Sequence, residues 1–116
     1  MGLVELYEKE RLRIAETADG RGDYSHPVFG EGPVNPLVML IGEAPGGDEA
    51  KQGRPFVGKA GKQLDALLSG AGIDRSRVYI TNTVKFRPVN VKPKSVSNRT
   101  PTGAELKAGL PLLKSE

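Results

Sequence analysis

The sequence has 116 residues and a mass of 12.4 kDa, so we expect one domain rather than several. It contains no cysteine and one histidine, which excludes disulfides, thiolate nucleophiles, cysteine-held metal clusters and two-histidine metal sites. It has no run of about 18 apolar residues that could span a membrane, and its charged, amphipathic N-terminus is not a signal peptide.

The net charge of +3 is distributed unevenly along the chain. Residues 1–50 carry 4 basic and 10 acidic side chains, whereas residues 51–116 carry 13 basic and 4 acidic side chains, a net charge of +9. Such a basic half suits a polyanionic partner such as nucleic acid. A solvated basic face balanced by the acidic half explains the same numbers, and charge alone leaves both interpretations open.

Hydrophobic periodicity and turn residues predict the following elements in chain order. They are a helix (3–17), a Gly- and Pro-rich loop (18–36) with an extended piece (27–30), a strand (37–41), a long loop (42–58), a helix (60–71), a strand (77–81), a basic loop (86–101) and a short helix after Thr102.

The order strand, helix, strand indicates a parallel pair with a crossover helix, the unit of α/β folds. The unbroken apolar run 37–41 is typical of a strand buried on both faces. Thr102 and Glu105 form a capping box, and Leu106, Leu110 and Leu113 would be the buried side of the last helix, which Pro111 would disturb. Two strands are marginal alone, so we expect only the first part of a larger fold.

The loop after the first strand is the first candidate site, because ligands of α/β sheets bind beyond the carboxyl ends of the strands. Glu43, Asp48 and Glu49 lie there, and Gly42 is the first of several glycines that permit close backbone approach. Carboxylates in such a loop can activate water or stabilise a developing cation. An ordinary solvated loop is the alternative.

The segment 53–59 matches G-x-x-x-x-G-K, but it does not predict a phosphate-binding loop. That motif requires Ser or Thr next, where this sequence has Ala60, and it must directly join a strand to its helix. Here the predicted strand ends twelve residues earlier, so we exclude ATP binding on this motif.

Two further side chains have the chemistry to bind a nucleobase. Phe56 lies in a loop rather than in an apolar stripe, so it either stacks on a base or caps the core. Asn82 ends the second strand at the same edge as Glu43, and its amide offers both a donor and an acceptor to a base edge. A plain strand-terminating Asn is the alternative. The basic residues that follow suit phosphate contacts: Lys85, Arg87, Lys92, Lys94 and Arg99.

Three blocks in this order resemble the family-4-type uracil-DNA glycosylases: GEAPGGDEAKQGRPFVGKAGKQLDALL, YITNTVKFRP and NRTPTGAEL. The similarity runs from about residue 28 to residue 113. It implies a three-layer α/β/α sandwich with a short parallel sheet, of which residues 1–116 would form a single, incomplete domain. It also implies a DNA-repair enzyme that flips uracil out of DNA and hydrolyses its N-glycosidic bond.

The resemblance implies a role for each matching residue. Glu43 and Glu49 match acidic positions that activate water or give electrostatic support. Phe56 matches the aromatic residue that stacks on uracil, Asn82 the amide that reads its edge, and Asn98 a residue that lines the site. With Gly42 these would bind the substrate, while Lys85, Arg87 and Arg99 would contact the DNA.

The sequence departs from the family pattern in two respects. The family usually holds a four-cysteine iron–sulfur cluster, but non-ligands stand at the four matching positions, so we expect no metal and no cofactor: Ala15, Ala18, Phe86 and Gly109. The family's late His-Pro-Ser type block is also absent.

The resemblance implies uracil-containing DNA as the partner of a monomeric cytoplasmic protein, associated with the nucleoid of a prokaryote or of phage type. No membrane partner is expected. The alternative is a catalytically impaired module of a larger repair or replication protein, which binds DNA or a nucleotide.

Overall fold

The computed structural model describes residues 2–17, 21–36, 38–92 and 95–116, and within these ranges the chain has a mixed α/β fold. Its helices and strands are α1 (Leu3–Thr17), β1 (Gly22–Asp23), β2 (Val38–Gly42), α2 (Gly47–Gln52), α3 (Lys59–Gly70), β3 (Val78–Asn82), β4 (Arg87–Lys92), β5 (Ser95–Asn98) and α4 (Gly103–Ser115). A single 3₁₀ turn, Arg75–Arg77, precedes β3.

β2 and β3 form the predicted parallel pair. Their register runs from Val38 opposite Val78 to Gly42 opposite Asn82, so both strands end at the same level. Hydrogen bonds continue beyond the strand ends, because the Thr83 N–H donates to the Gly42 carbonyl at 2.9 Å. The predicted parallel pair is therefore confirmed, and it places the loops after β2 and β3 side by side.

The burial of the two strands differs from the prediction for residues 37–41. β3 is buried along its whole length, whereas Val38 and Ile41 of β2 are 43% and 54% exposed. β3 lies between β2 and an extended segment that bridges Glu31 to Ile80. β2 has β3 as its one strand neighbour in the described ranges, so its apolar run marks an edge strand. Residue 37 lies outside the described residues.

Two predicted loops contain regular structure. The loop 42–58 includes α2, and the basic loop 86–101 includes the antiparallel hairpin of β4 and β5, with Val91 opposite Val96. β1 pairs with the other edge of β4 and completes a three-stranded sheet. The hairpin was not predicted, because polar residues and proline dominate its composition and are typical of loops.

α4 begins as predicted, and its buried face agrees with the prediction in part. The Glu105 N–H donates to Thr102 Oγ1 at 3.1 Å, and Glu105 Oε1 accepts from the Thr102 N–H at 2.9 Å, which confirms the capping box. Leu106 packs against the core as predicted and Leu113 is half-buried, whereas Leu110 is 38% exposed. Gly109 and Leu112 are the fully buried positions. A side chain at position 109 would overlap the carbonyl of Thr83, so close backbone contact there sets the buried face. The helix continues through Pro111.

The apolar core joins α1 to the segment after β3. Ile14, Val84 and Phe86 are all at most 4% exposed and pack as one cluster, with the ring of Tyr24 4.9 Å from that of Phe86. α1 is thus the predicted helix, held by Ile14 near its C-terminal end. In the described part of the chain, no helix combines the length and the apolar character needed to cross a bilayer.

The core position of Phe86 predicts a large loss of stability on truncation. Phe86→Ala should lower the free energy of unfolding by about 3–5 kcal/mol, because it removes a buried ring and leaves a cavity. Val91→Ala on the exposed hairpin should change it by less than about 0.5 kcal/mol. Urea unfolding followed by circular dichroism measures both, and equal effects of the two variants would contradict the assigned core.

Candidate functional site

The candidate site lies where β2 and β3 end. Gly42 and Asn82 are opposite each other in the register, and the ring of Phe56 packs over Gly42. A Cβ at position 42 would lie 2.5 Å from Cζ of Phe56 and would overlap Oδ1 of Asn82. The missing side chain of Gly42 therefore lets an aromatic ring and an amide meet at one point.

Asn82 presents an unused amide to the cavity at this point. The residue is 4% exposed, and its side-chain amide forms no hydrogen bond to any other described residue. Among the described residues no buried side-chain nitrogen or oxygen lacks a partner, so the unpaired amide of Asn82 is open to the cavity, where it is available to a ligand or to water. The cavity has a volume of about 280 Å³, close to the lower limit for small-molecule sites.

The predicted substrate-binding side chains share this cavity. Phe56, Asn82 and Asn98 all line it, together with the loop backbone at Gly46 and Gly47 at the start of α2. Asn98 lies close to Gly46, since a Cβ there would be 3.1 Å from the Asn98 amide nitrogen. The structure thus brings together three residues that are widely separated in sequence.

Glu49 is bound by the backbone around the cavity. Its carboxylate accepts hydrogen bonds from the N–H groups of Gly46 at 3.0 Å, Val57 at 3.0 Å and Gly58 at 2.6 Å. Partial burial by itself raises the pKa of Glu49, but these backbone donors together outweigh it and hold the pKa below its usual value. A carboxylate with a lowered pKa and occupied oxygens is a poor base. This arrangement fixes the loop, and the predicted catalytic role of Glu49 stays a prediction.

Glu43 and Asp48 are exposed at the edge of the site. Glu43 borders a second cleft of about 370 Å³, which shares Asn98 and the loop at Gly46 with the first cavity. Glu43 is therefore open to solvent beside Asn98, and so is Asp48, which lines the first cavity together with Asn98. Asp48 lies against Gly58, where a Cβ would be 2.8 Å from Asp48 Oδ2.

Lys85 is not at the surface, contrary to the prediction that it contacts DNA. The residue is 1% exposed, and its ammonium donates to Oγ1 of Thr81 at 2.7 Å, to the carbonyl of Asn82 and to the carboxylate of Glu116. Burial lowers the pKa of Lys85, although the hydrogen bond with Glu116 and its charge oppose this shift. The sequence showed a run of basic residues, but it did not show which of them point inward.

Arg99 is also used inside the protein. Its side chain is 7% exposed, and the guanidinium donates to both carboxylate oxygens of Glu105, at 2.6 and 2.8 Å. It also donates to the carbonyls of Arg21 and Val89, and it lowers the pKa of Glu105. Arg99 therefore joins the hairpin to α4, which corrects the prediction of a DNA-contacting side chain.

Arg87 is placed nearer to the cavity mouth. Its Nε donates to Oδ1 of Asn98 at 2.6 Å, and its guanidinium carbon would be 3.3 Å from a Cβ at Gly47. Arg87 thus orients the amide of Asn98 and brings positive charge to the start of α2. Lys94 lies outside the described residues.

The positions that match cluster ligands do not fit an iron–sulfur cluster. Phe86 belongs to the apolar core, Gly109 packs against the backbone of Thr83, and Ala15 is exposed on α1. Ala18 lies outside the described residues. No thiolate is available in the sequence, and the described ranges contain no group of three His, Asp or Glu side chains that could hold a metal ion.

Sequence reasoning missed the residues that hold the loop of Phe56. Arg75 of the 3₁₀ turn donates to the carbonyls of Pro55 and Phe56, at 2.7 and 2.8 Å. Arg54 forms a two-point ion pair with Glu31, with both distances 2.9 Å. No local pattern marks these contacts, because Arg75 is 19 residues from Phe56 and Arg54 is 23 residues from Glu31.

Comparisons with known proteins find sequences similar to this chain. Residues 29–116 match the family model of the uracil DNA glycosylase superfamily. The chain is 50% identical over 86 residues to the type-4 uracil-DNA glycosylase of Pyrobaculum aerophilum, covering 74% of the chain and 40% of that protein. It is 49% identical over 103 residues to the type-4 uracil-DNA glycosylase of Thermotoga maritima, and this match covers 89% of the chain and 50% of that protein. The chain therefore spans about half or less of the length of these curated relatives.

The bound state of Glu49 predicts a pH-dependent stability. Glu49→Gln should lower the free energy of unfolding by about 1.5–3 kcal/mol at pH 7, because backbone donors lose a charged acceptor. A lowered folded-state pKa gives stability that is present above the ordinary value of 4.5 and is lost as pH falls through the folded value. Urea unfolding should therefore show the stabilities of the two proteins converging as the pH falls from 4.5 through the lowered folded-state pKa of Glu49.

The exposed Glu8→Gln change on α1 is the matched control, since Glu8 is 66% exposed and meets Arg11 at 3.8 Å. It should leave stability nearly unchanged at pH 7. A Glu49→Gln effect that is independent of pH would show that the charge of Glu49 is not what holds the loop.

Proposed function

Because the chain belongs to the uracil DNA glycosylase superfamily, we propose that its site accepts a uracil flipped out of DNA and supports hydrolysis of the N-glycosidic bond. The observation that carries this proposal is the unpartnered amide of Asn82 beside the ring of Phe56 in one small cavity. We further propose that the β2–β3 pair and its helices are the first part of a three-layer α/β/α sandwich.

Recognition of the base is assigned to two neutral groups, the carboxamide of Asn82 and the ring of Phe56. Uracil presents a carbonyl oxygen next to an N–H, and a carboxamide such as Asn82 has the acceptor and donor that complement them. Phe56 offers a flat apolar face, and stacking on an aromatic side chain contributes about 1–3 kcal/mol per base. Gly42 permits both contacts, because any larger residue would push the ring away from the amide.

The chemical step requires water and charge stabilisation near the sugar. The oxygen of water bonds to C1′ of the deoxyribose, the bond from C1′ to N1 of uracil breaks, and its electron pair leaves with the base. The sugar passes through an oxocarbenium-like state, which a nearby carboxylate stabilises. We assign orientation of the water and acceptance of its proton to Glu43, an exposed acidic residue beside Asn98. Glu49 instead positions the loop.

Uracil-containing DNA is the proposed partner. Arg87 at the cavity mouth and the exposed Lys59, which lines the cavity at the start of α3, are the basic residues closest to a flipped nucleotide. Phosphate contacts from such side chains supply affinity that falls with salt. Asn98, fixed by Arg87, would then border both the base cavity and the cleft of Glu43.

A DNA- or nucleotide-binding module without catalysis is the second candidate. It is favoured by the basic balance of residues 51–116. Such a module would keep salt-sensitive affinity for uracil-containing DNA while leaving the glycosidic bond intact.

Excision of uracil tests the proposed function directly. The chain is incubated with a duplex oligonucleotide that contains a single uracil, and alkali then cleaves the strand at any abasic site. We expect cleavage, and we expect Asn82→Ala to reduce it about 10²-fold or more, since one polar contact to the reacting group is lost. Asn90→Ala on the exposed side of the hairpin is the matched control and should leave the rate unchanged.

Two outcomes would contradict this proposal. Salt-sensitive binding without cleavage, in a sample whose folding is verified by circular dichroism, favours the binding module. Full activity of Asn82→Ala removes Asn82 from base recognition.

The chain is also proposed to work without an iron–sulfur cluster. The cluster of Ile14, Val84 and Phe86 ties α1 to the segment after β3 by apolar packing. The purified protein should therefore contain less than about 0.1 iron per chain and show no absorbance near 400 nm. Stoichiometric iron that survives chelation would refute this, and a cysteine-containing relative purified in parallel is the positive control.

A further inference from the structure

Phe56 is held in an unfavourable backbone conformation. Its φ angle is 53°, and it is the one described residue other than glycine with a positive φ. This left-handed conformation is rarely adopted by residues with a bulky side chain, so surrounding contacts must impose it. The conformation determines where the ring points, and the ring lies over Gly42 next to Asn82.

Arg75 binds this strained segment from one side. Its Nη1 donates to the carbonyl of Phe56 at 2.8 Å, and its Nη2 donates to the carbonyl of Pro55 at 2.7 Å. A guanidinium is a planar fork with fixed spacing, so binding two successive carbonyls defines the relative orientation of the two peptide groups to which they belong. These two peptide groups flank the Cα of Phe56.

Arg75 is itself held from two directions. Its Nη1 meets Oδ1 of Asp65 on α3 at 2.7 Å, and its Nη2 meets Oε1 of Glu31 at 3.4 Å. Glu31 is fixed in turn by the two-point ion pair with Arg54, a residue of the Phe56 loop. These contacts leave the Arg75 side chain 22% exposed and its guanidinium little freedom to turn.

The other side of Phe56 is fixed by different groups. Glu49 accepts from the N–H groups of Val57 and Gly58, which follow Phe56 directly. The carbonyl of Phe56 lies so close to Gly61 of α3 that any Cβ at position 61 would overlap it. Arg75 is therefore the only described side chain that donates to the carbonyls of Pro55 and Phe56.

We propose that Arg75 is a positioning residue for base stacking: it sets the direction of the Phe56 ring relative to the Asn82 amide. This inference rests on the proposed function, in which Phe56 stacks on a flipped uracil. Arg75 does not line the cavity and would not touch the substrate. Its effect on binding and excision must pass through Phe56, which distinguishes it from a residue that only stabilises the fold.

A spectroscopic probe tests the position of the ring without catalysis. The chain contains no tryptophan, so Phe56→Trp introduces a single indole at position 56, whose emission is excited selectively over that of the three tyrosines. Adding Arg75→Met should increase quenching by acrylamide and shift the emission to longer wavelength, because the ring leaves its place over Gly42. Arg77→Met, an exposed arginine of the same 3₁₀ turn, is the matched control and should change neither.

A double-mutant cycle tests the route of the effect. On uracil-containing DNA, Phe56→Ala and Arg75→Met should each raise KM or lower kcat/KM by about tenfold, as expected for lost base stacking. The double variant should be no worse than Phe56→Ala alone, because Arg75 then has no ring to position. The inference would be overturned if the losses in kcat/KM of the two single variants multiplied in the double variant. It would also be overturned if Arg75→Met left the indole emission of the Phe56→Trp protein unchanged.

Arg75→Lys keeps the fold testable if Arg75→Met is poorly folded. A lysine preserves the charge that faces Asp65 and Glu31 but cannot bridge two carbonyls. In the Phe56→Trp protein, we expect Arg75→Lys to leave the unfolding transition unchanged and to increase quenching of the introduced indole. If the quenching equals that of the Phe56→Trp parent, Arg75 acts only through its charge and does not position residue 56. If the unmodified chain does not excise uracil, the proposed function fails, while the fluorescence result still decides whether Arg75 positions residue 56.

Discussion

The site depends on one backbone register and one missing side chain. Parallel pairing places Gly42 directly opposite Asn82, at the point where both strands end. If the register slipped by one residue, the Asn82 side chain would turn to the other face of the pair. If position 42 carried a Cβ, the Phe56 ring and the Asn82 amide could not both remain. The positions of the Phe56 ring and the Asn82 amide therefore depend on the pairing of β2 and β3.

Three charged residues around the cavity hold the backbone, and a neutral ring and a neutral amide lie side by side within it. Glu49 binds three N–H groups, Lys85 binds the carbonyl of Asn82, and Arg75 binds the carbonyl of Phe56. Each of these contacts fixes the backbone next to a cavity residue. Ionised groups form stronger hydrogen bonds than neutral ones, so they are suited to hold strained or buried backbone. A neutral base can then be met by a neutral ring and a neutral amide without burial of an unpaired charge.

Local patterns predicted those parts of the structure that depend on neighbouring residues. The parallel strands, the helix 3–17 and the capping box of Thr102 each follow from a few adjacent side chains. The hairpin of β4 and β5 was missed because its pairing, and not its composition, defines it. Lys85 was misplaced because its partner Glu116 lies 31 residues away. Whether a lysine points inward is decided by such distant partners, which periodicity does not report.

The internal ion pairs also change how the positive net charge of residues 51–116 is interpreted. Lys85, Arg75 and Arg99 are basic residues of that half, and each is paired with a carboxylate inside the structure. The positive charge available to a polyanion is therefore smaller than the sequence total, and less of it lies along the segment 85–99. Lys59 and Lys62 are exposed at the start of α3, along a cleft beside the cavity that Phe56 and Asn82 line. Phosphates that approach this helix start would also meet its positive dipole end, so the α3 side of the cavity is the favourable direction of approach for the proposed DNA partner.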